Sequence, residues 1–179
     1  MPQQETPTAI ALLKADHRAV EALFEQYESA RTAPQKEKLA QQICTALVIH
    51  TMIEEEIFYP ACRDAKVDDS LLDESYVEHD GAKVMIAEIM AASPEEDFYD
   101  AKVKVLSEEI KHHVGEEEHM LTGLFSQAKR ADLDMDALGA QMSARKQELQ
   151  AQFAEEGLPP PVTRTLQGAE LEYGAPVGV

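Results

Sequence analysis

His50-Thr51-Met52-Ile53-Glu54 sets an imidazole and a carboxylate four residues apart, inside a run of apolar residues that reads as one long helix. At 3.6 residues per turn the two lie about 40° apart on the helix surface, on one stripe with Leu39, Ile43, Leu47, Ile57 and Ala61. An inward carboxylate is costly unless it is paired, protonated or bound to a metal, so a partner has to come from elsewhere in the chain. Further on, Leu106, Ile110, His113, Glu117, Met120 and Leu124 match Ile43, Leu47, His50, Glu54, Ile57 and Ala61 position for position. Two helices therefore each carry His-x-x-x-Glu on an apolar stripe.

Two more histidines interrupt apolar stripes: His17 among Ile10, Leu13, Val20 and Phe24, and His79 among Leu72, Tyr76, Ile86 and Met90. Any one of them alone reads as an ordinary core histidine. Four together, with Glu54 and Glu117 beside two of them, would leave unpaired polar groups in a core at a cost of roughly several kcal/mol. A bound metal removes that cost. Structural zinc is usually closed by four ligands, often thiolates, and this set is larger and purely nitrogen and oxygen. Imidazole with carboxylate suits iron or manganese, and two carboxylates facing each other between helices can bridge a metal pair. Spacing alone does not choose the metal.

The elements that must position these residues follow from the punctuation. A first helix starts at Thr6-Pro7, as N-cap and first helical position, after a frayed start at residues 1–5. Ala33-Pro34 separates it from a second, running from about Gln35 to about Ala65, in which Pro60 is a kink or an early end. Asp68-Asp69-Ser70 caps a third, and Ser93-Pro94-Glu95-Glu96 closes that one and opens a fourth. After a turn at Arg130-Ala131-Asp132 a fifth stripe runs through Leu133, Ala137, Leu138, Gln141, Arg145, Leu149 and Phe153, outside the main bundle. From Gly157 a proline- and glycine-containing tail reads as irregular, extended or disordered. The expected fold is all-α: an up-down-up-down four-helix bundle with an additional C-terminal helix and an irregular tail, divided at 1–130, 131–156 and 157–179. Counting residues from each turn puts the four histidines in one layer, provided that Pro94 to Asp97 belong to the loop before His113.

The other charged residues sort by face. Glu21 repeats the spacing one turn after His17, but Arg18 and Glu25 flank it and a solvated pair is expected. Glu56 and Glu118 also read as solvated. Helix 4 offers two registers, and His113 rather than His112 is the expected ligand, because the His112 register runs through Glu109, Glu116, His119 and Gly123, a wet face.

A formal charge of −18 repels phosphate backbones and anionic lipid, so neither nucleic acid nor a membrane surface is expected as a partner. Without a basic flank and apolar core of signal-peptide type, or 18 uninterrupted apolar residues, the protein reads as cytoplasmic. Cys44 and Cys62 fall on one helix about 27 Å apart, too far for a disulfide, and are expected as free thiols in apolar surroundings. No G-x-S-x-G or Walker-type glycine pattern offers a rival chemistry.

The segments Asp16-His17-Arg18, His50 through Pro60, Glu78-His79 and His112-His113-Val-Gly-Glu-Glu117-Glu118 resemble the hemerythrin family, in its bacterial HHE cation-binding branch, over roughly residues 8 to 128. The run from Asp134 to Lys146 resembles the C-terminal helix of bacterial members. The resemblance implies a non-haem di-iron centre that binds O₂ or reacts with peroxide or nitric oxide. His17 and His50 would hold one iron, His79 and His113 the other, and Glu54 and Glu117 would bridge. Two iron ions are expected ahead of manganese or zinc. Where oxygen-carrying members have a second histidine one turn after His79, this chain has Lys83. That departure favours peroxide-decomposing or nitric oxide-reducing turnover over simple O₂ carriage; a cation-binding module without gas chemistry is the other reading.

Overall fold

A computed structural model describes residues 6–166. Among them are seven α-helices, one π-helical turn and no strand: α1 (Ala9–Ser29), α2 (Ala33–Ile53), the π turn (Glu54–Phe58), α3 (Tyr59–Asp64), α4 (Asp69–Ala91), α5 (Tyr99–Glu117), α6 (Leu124–Arg130) and α7 (Met135–Glu156). The backbone of Glu54, Phe58 and Tyr59 stays in the right-handed helical region, so α2, the π turn and α3 form one rod. That rod packs with α1, α4 and α5 as a four-helix bundle, and α7 lies against α1 and α2.

Several expectations are corrected in detail. The first helix starts later than expected, with Thr8 as N-cap, its side chain accepting from the amide of Ala11. Pro34 does not precede the second helix but sits in its first turn, where its missing N–H costs nothing. Pro60 does not end the rod, which continues to Asp64. A proline clashes with the carbonyl one α-turn back, and the wider turn before it, closed by the Tyr59 amide on the Glu54 carbonyl, accommodates the ring. The extra residue in that turn also moves the apolar stripe: Phe58, Tyr59 and Cys62 are buried, and Ile57 and Ala61 are only half-buried.

The fourth bundle helix begins at Tyr99, not at Pro94, after Phe98 takes a left-handed conformation. This shorter helix brings His113 level with His79. It also stops at Glu117, so the expected continuation through Met120 fails; Met120 is 84% exposed, and Leu124 is buried only because α6 folds back. On α4 the buried line is Leu72, Ser75, His79, Ala82, Ile86 and Ile89, and Met90 points outward.

Two core clusters flank the histidine layer. One gathers Leu13, Ile53, Phe58, Leu72 and Phe125 with Met142, Leu149 and Phe153 of α7; the other gathers Phe24, Ile43, Leu47, Ile86, Tyr99 and Leu106. The fifth helix thus completes a core rather than merely covering the bundle, and its buried line includes Gly139 and Met142, which the expected stripe omitted. Residues 157–166 are irregular as expected, but Leu158 packs against both clusters. The remainder of the expected tail, 167–179, and the frayed start at 1–5 lie outside the described residues.

Candidate metal centre

Between the two clusters the bundle buries His17, His50, His79, His113, Glu54 and Glu117. The imidazoles meet in pairs through Nε2: His17 to His50 at 3.2 Å and His79 to His113 at 3.2 Å. Each carboxylate reaches one member of each pair. Glu54 Oε2 lies 3.1 Å from His50 and 3.4 Å from His79, and Glu117 Oε2 lies 3.4 Å from His17 and 3.6 Å from His113. A carboxylate oxygen cannot donate, and two Nε2 atoms can share at most one proton comfortably, so only protons on the imidazoles or a bound cation can separate these facing acceptors.

The opposite nitrogen of each ring faces a second carboxylate. Nδ1 of His17 is 2.8 Å from Glu118, that of His79 is 3.1 Å from Glu55, that of His113 is 2.7 Å from Glu78, and that of His50 is 3.6 Å from Asp16. The scheme is two-fold. The residue before the histidine of α1 serves the histidine of α2, and the residue before that of α4 serves that of α5. The residue after Glu54 serves α4, and the one after Glu117 serves α1. On His17, His79 and His113 the carboxylate is within hydrogen-bond distance of Nδ1 and can hold the proton there, leaving Nε2 to face inward, as second-sphere carboxylates do for metal-bound histidine. His50 Nδ1 faces Asp16 without a hydrogen bond.

Tyr59 breaks the symmetry. Its hydroxyl, fully buried, donates to Glu117 at 2.9 Å and lies 3.2 Å from His79 Nε2 and 3.4 Å from Glu54, with its ring stacked on His79. On the other side Phe125 stacks on His17 instead. Burial and the two carboxylates raise the Tyr59 pKa well above the phenol value, so its proton stays in place.

Lys83 does not enter the layer. Its ammonium binds Glu55 at 2.7 Å and Asp80 at 3.2 Å, behind His79. Glu21 makes the expected surface pair with Arg18, and His112 is exposed beside Glu78 and Glu116. Glu56, solvent-facing as expected, is held by Arg145 of α7. Glu118 is not the solvated residue expected: it binds His17, Arg18 and Lys14. The expected layer omitted Tyr59 and the outer carboxylates Asp16, Glu55, Glu78 and Glu118. The carboxylates' one signal in the sequence is that each adjoins an inward residue, Asp16 beside His17, Glu55 beside Glu54, Glu78 beside His79 and Glu118 beside Glu117.

Electrostatics describes what this layer lacks. Burial opposes charge on His50, but Glu54 and Asp16 outweigh it and raise its pKa to about 10; His113 rises to about 9 through Glu117 and Glu78 against the same opposition. Burial lowers His79, with His113 adding to the effect against its bond to Glu55. Burial would raise Glu117, yet the imidazoles around it hold it well below the usual carboxylate range. Protons on two histidines supply a positive charge that the carboxylates require. Even so, Glu54 Oε1 and Glu117 Oε2 remain buried without a hydrogen bond. Cations fit this set: His17, His50, Glu54 and Glu117 form one group able to hold an ion, and Glu54, His79 and His113 another. Nitrogens about 2.1 Å from one ion and at right angles to each other sit about 3 Å apart, close to the spacing of both imidazole pairs.

The family model of the hemerythrin HHE cation-binding domain matches residues 8–125. The chain belongs to the hemerythrin HHE family. Its fold is similar to the crystal structure of a hemerythrin HHE cation-binding domain-containing protein from Mycobacterium kansasii, with a TM-score of 0.69 and 21% identity over 85% of this chain and 95% of that one. A curated relative, named a DNA nickase, from Nostoc sp. (strain PCC 7120), is 27% identical over 110 residues, 62% of this chain. The match spans 31% of that longer protein. No helix among the described residues is long and apolar enough to cross a membrane.

Proposed function

We propose that this HHE domain is a non-haem di-iron protein of the cytoplasm that reacts with small oxidants, namely O₂, peroxide or nitric oxide. The observation that carries the reading is the two-fold layer of four inward Nε2 atoms and two carboxylates, each ring backed by a further carboxylate. His17 and His50 would hold one iron, His79 and His113 the other, and Glu54 and Glu117 would bridge. Iron pairs in such a site supply redox chemistry and Lewis acidity toward small oxygen and nitrogen species.

The chain's own residues contribute three things. The outer carboxylates would hold the Nδ1 protons of His17, His79 and His113, so that their Nε2 atoms are free for a metal. The Tyr59 hydroxyl keeps a proton next to Glu117, within reach of a molecule that enters the layer. Finally, two small clefts, about 180 Å³ beside His17 and His50 and about 160 Å³ beside His79 and His113, approach the pairs from outside. They are narrower than sites for drug-sized ligands, about 300–1,000 Å³, and suit diatomic or peroxide-sized species.

Turnover of peroxide or nitric oxide, rather than reversible O₂ carriage, follows from Lys83, which occupies the position of a further histidine and faces away from the layer. The name of the Nostoc relative belongs to a much longer protein, and the chain's net charge of −18 disfavours contact with a phosphate backbone.

Metal analysis of protein purified under iron-replete conditions, followed by optical titration with O₂, peroxide and nitric oxide, tests the reading. About two iron ions per chain are expected. One zinc and no iron would overturn it, and two irons inert to all three would leave a cation-binding module without gas chemistry.

A further inference from the structure

A groove of about 680 Å³ runs between α2 and α4 beneath residues 158–162 and Arg164. Val48, Met52, Ile86 and Met90 line it from the helices, and Leu158 and Val162 from above. One end is polar, where Glu55, Lys83 and Arg164 meet.

The roof is anchored. Asp80, 1% exposed, accepts from the amides of Arg164 at 2.8 Å, Thr165 at 2.6 Å and Leu166 at 3.3 Å, and from the Thr165 hydroxyl at 2.8 Å. Arg164 adds a contact to Glu55 at 3.5 Å and lies over the Tyr76 ring. Between this anchor and α7 stand Pro159, Pro160 and Pro161, which have no amide to donate and hold an extended form. A stiff arch fixed at both ends spans the gap instead of collapsing into it.

The charges at the polar end are already matched. Lys83 and Arg164 offset Glu55 and Asp80, and Glu56 is taken by Arg145. An anionic occupant would add to a net charge of −18, and a cationic one would compete with Lys83 and Arg164 for the same carboxylates. The size falls within the range of small-molecule sites, about 300–1,000 Å³.

We propose that this groove binds a neutral, largely apolar small molecule with one hydroxyl or carbonyl head, the chemistry shared by phenols, quinones and fatty alcohols, with the head at Lys83 and Glu55. Glu55 also accepts from His79 Nδ1, so the occupant abuts the carboxylate that backs one ring of the buried layer. The groove is a property of the chain whether or not the layer holds iron.

The test is a fluorescence titration of the full chain with N-phenyl-1-naphthylamine, a neutral apolar probe, beside its anionic analogue 8-anilinonaphthalene-1-sulfonate. Saturation at about one neutral probe per chain is expected, with the anion at least about tenfold weaker, a difference of about 1.4 kcal/mol. Ala87→Phe, which fills the groove, and Val162→Asp, a charge on a roof residue that is 76% exposed, should each weaken the probe about tenfold or more. Circular dichroism checks the fold, and if Ala87→Phe misfolds, Val162→Asp decides. Binding should also move the ¹⁵N resonance of His79 Nδ1 in metal-free protein. Unsaturable binding, equal affinity in the folded variants, or an anion bound as tightly would overturn the proposal. So would tighter binding in Asp80→Ala, which would mean that the roof itself fills the groove, or a His79 resonance that ignores the probe.

Discussion

Glu55 binds Nδ1 of His79 at 3.1 Å while its neighbour in sequence, Glu54, approaches Nε2 of the same ring at 3.4 Å. Adjacent residues of an α-helix point about 100° apart and do not normally enclose one side chain. Here they begin the π turn, in which the rod is widened by one residue, and both are buried. A π turn inside an α-helix is a recurrent mark of functional sites.

This relationship makes Glu55 a positioning residue with a measurable effect. Glu55→Ala should load metal about 10–100-fold more weakly, the usual effect of removing a second-sphere partner. Its two-fold counterpart, Glu118→Ala, should do the same on the His17 side. Competition with a chelator of known affinity measures both, and wild-type affinity in either variant would show that the outer carboxylates are only structural.

His113→Ala and His112→Ala separate the two registers of α5. His113 is buried with Nε2 in the layer, whereas His112 is exposed. Metal content should fall in the first and hold in the second. Glu54→Ala should likewise lose most of the metal, because it removes the carboxylate that touches both imidazole pairs. A His112 variant that loses metal while the His113 variant retains it would refute the assignment.

Iron should stabilise the fold. Glu54 Oε1 and Glu117 Oε2 are buried without hydrogen bonds, and a cation removes that deficit only in the folded chain. At a free ion concentration about 100 times Kd the gain is about 2.7 kcal/mol. For a domain of this size that raises Tm by roughly 5–10 °C. Anaerobic scanning calorimetry with and without ferrous ion reads it, and an unchanged Tm at saturating metal would contradict a site inside the bundle.

The repeated His-x-x-x-Glu was legible in the sequence because polar residues on an apolar stripe have no other place to go. Its limits were not. Residues Ile57 and Ala61 match Met120 and Leu124 by periodicity, yet the π turn shifts the stripe in one helix and the other ends at Glu117. Periodicity assumes a constant turn. Asp16, Glu55, Glu78 and Glu118 lie off the stripe and look solvated, because each serves a histidine of another helix, and only packing brings them together. The anchoring of residues 164–166 on Asp80 depends on backbone amides, which carry no signal in residue type.

Cys44 and Cys62 are free and buried, and burial pushes both thiols up to about 12. Thiolate is the reactive form, so at pH 8 only about one thiol in ten thousand is ionised. Neither should react with an aromatic disulfide reagent in the native protein, and both should titrate in denaturant. Rapid modification of the native chain would mean that the core around them opens.

Gly139 lets α7 cross the start of α1. A Cβ there would come within 2.1 Å of the Pro7 carbonyl oxygen and 2.8 Å of the Ala9 amide nitrogen, so Gly139→Ala must push the helix away. Overpacking of this kind costs about 1–3 kcal/mol. Gly81→Ala on α4 meets nothing within 4 Å and should instead stabilise by about 0.5–1 kcal/mol through helix propensity. Urea melts of the two variants should move in opposite directions, and a neutral Gly139→Ala would show that α7 is not docked where its contacts place it.

Under the proposed oxidant chemistry, Lys83 is expected to favour turnover over carriage. One turn after His79, it is 11% exposed and spends its charge on Glu55 and Asp80 instead of the layer. Its Nζ is turned to two carboxylates outside the layer and does not reach the imidazole Nε2 atoms. The His79 side therefore offers two imidazoles, the shared carboxylates and the Tyr59 hydroxyl, with no third histidine. The iron-loaded protein should consume peroxide or nitric oxide and fail to hold O₂ reversibly. Lys83→His should shift that balance toward longer O₂ retention, followed by optical spectroscopy under air and after deoxygenation. Hours-long reversible O₂ binding by the unmodified chain, with no peroxide or nitric oxide turnover, would show that the side chain at position 83 does not set the chemistry and that the protein is a carrier.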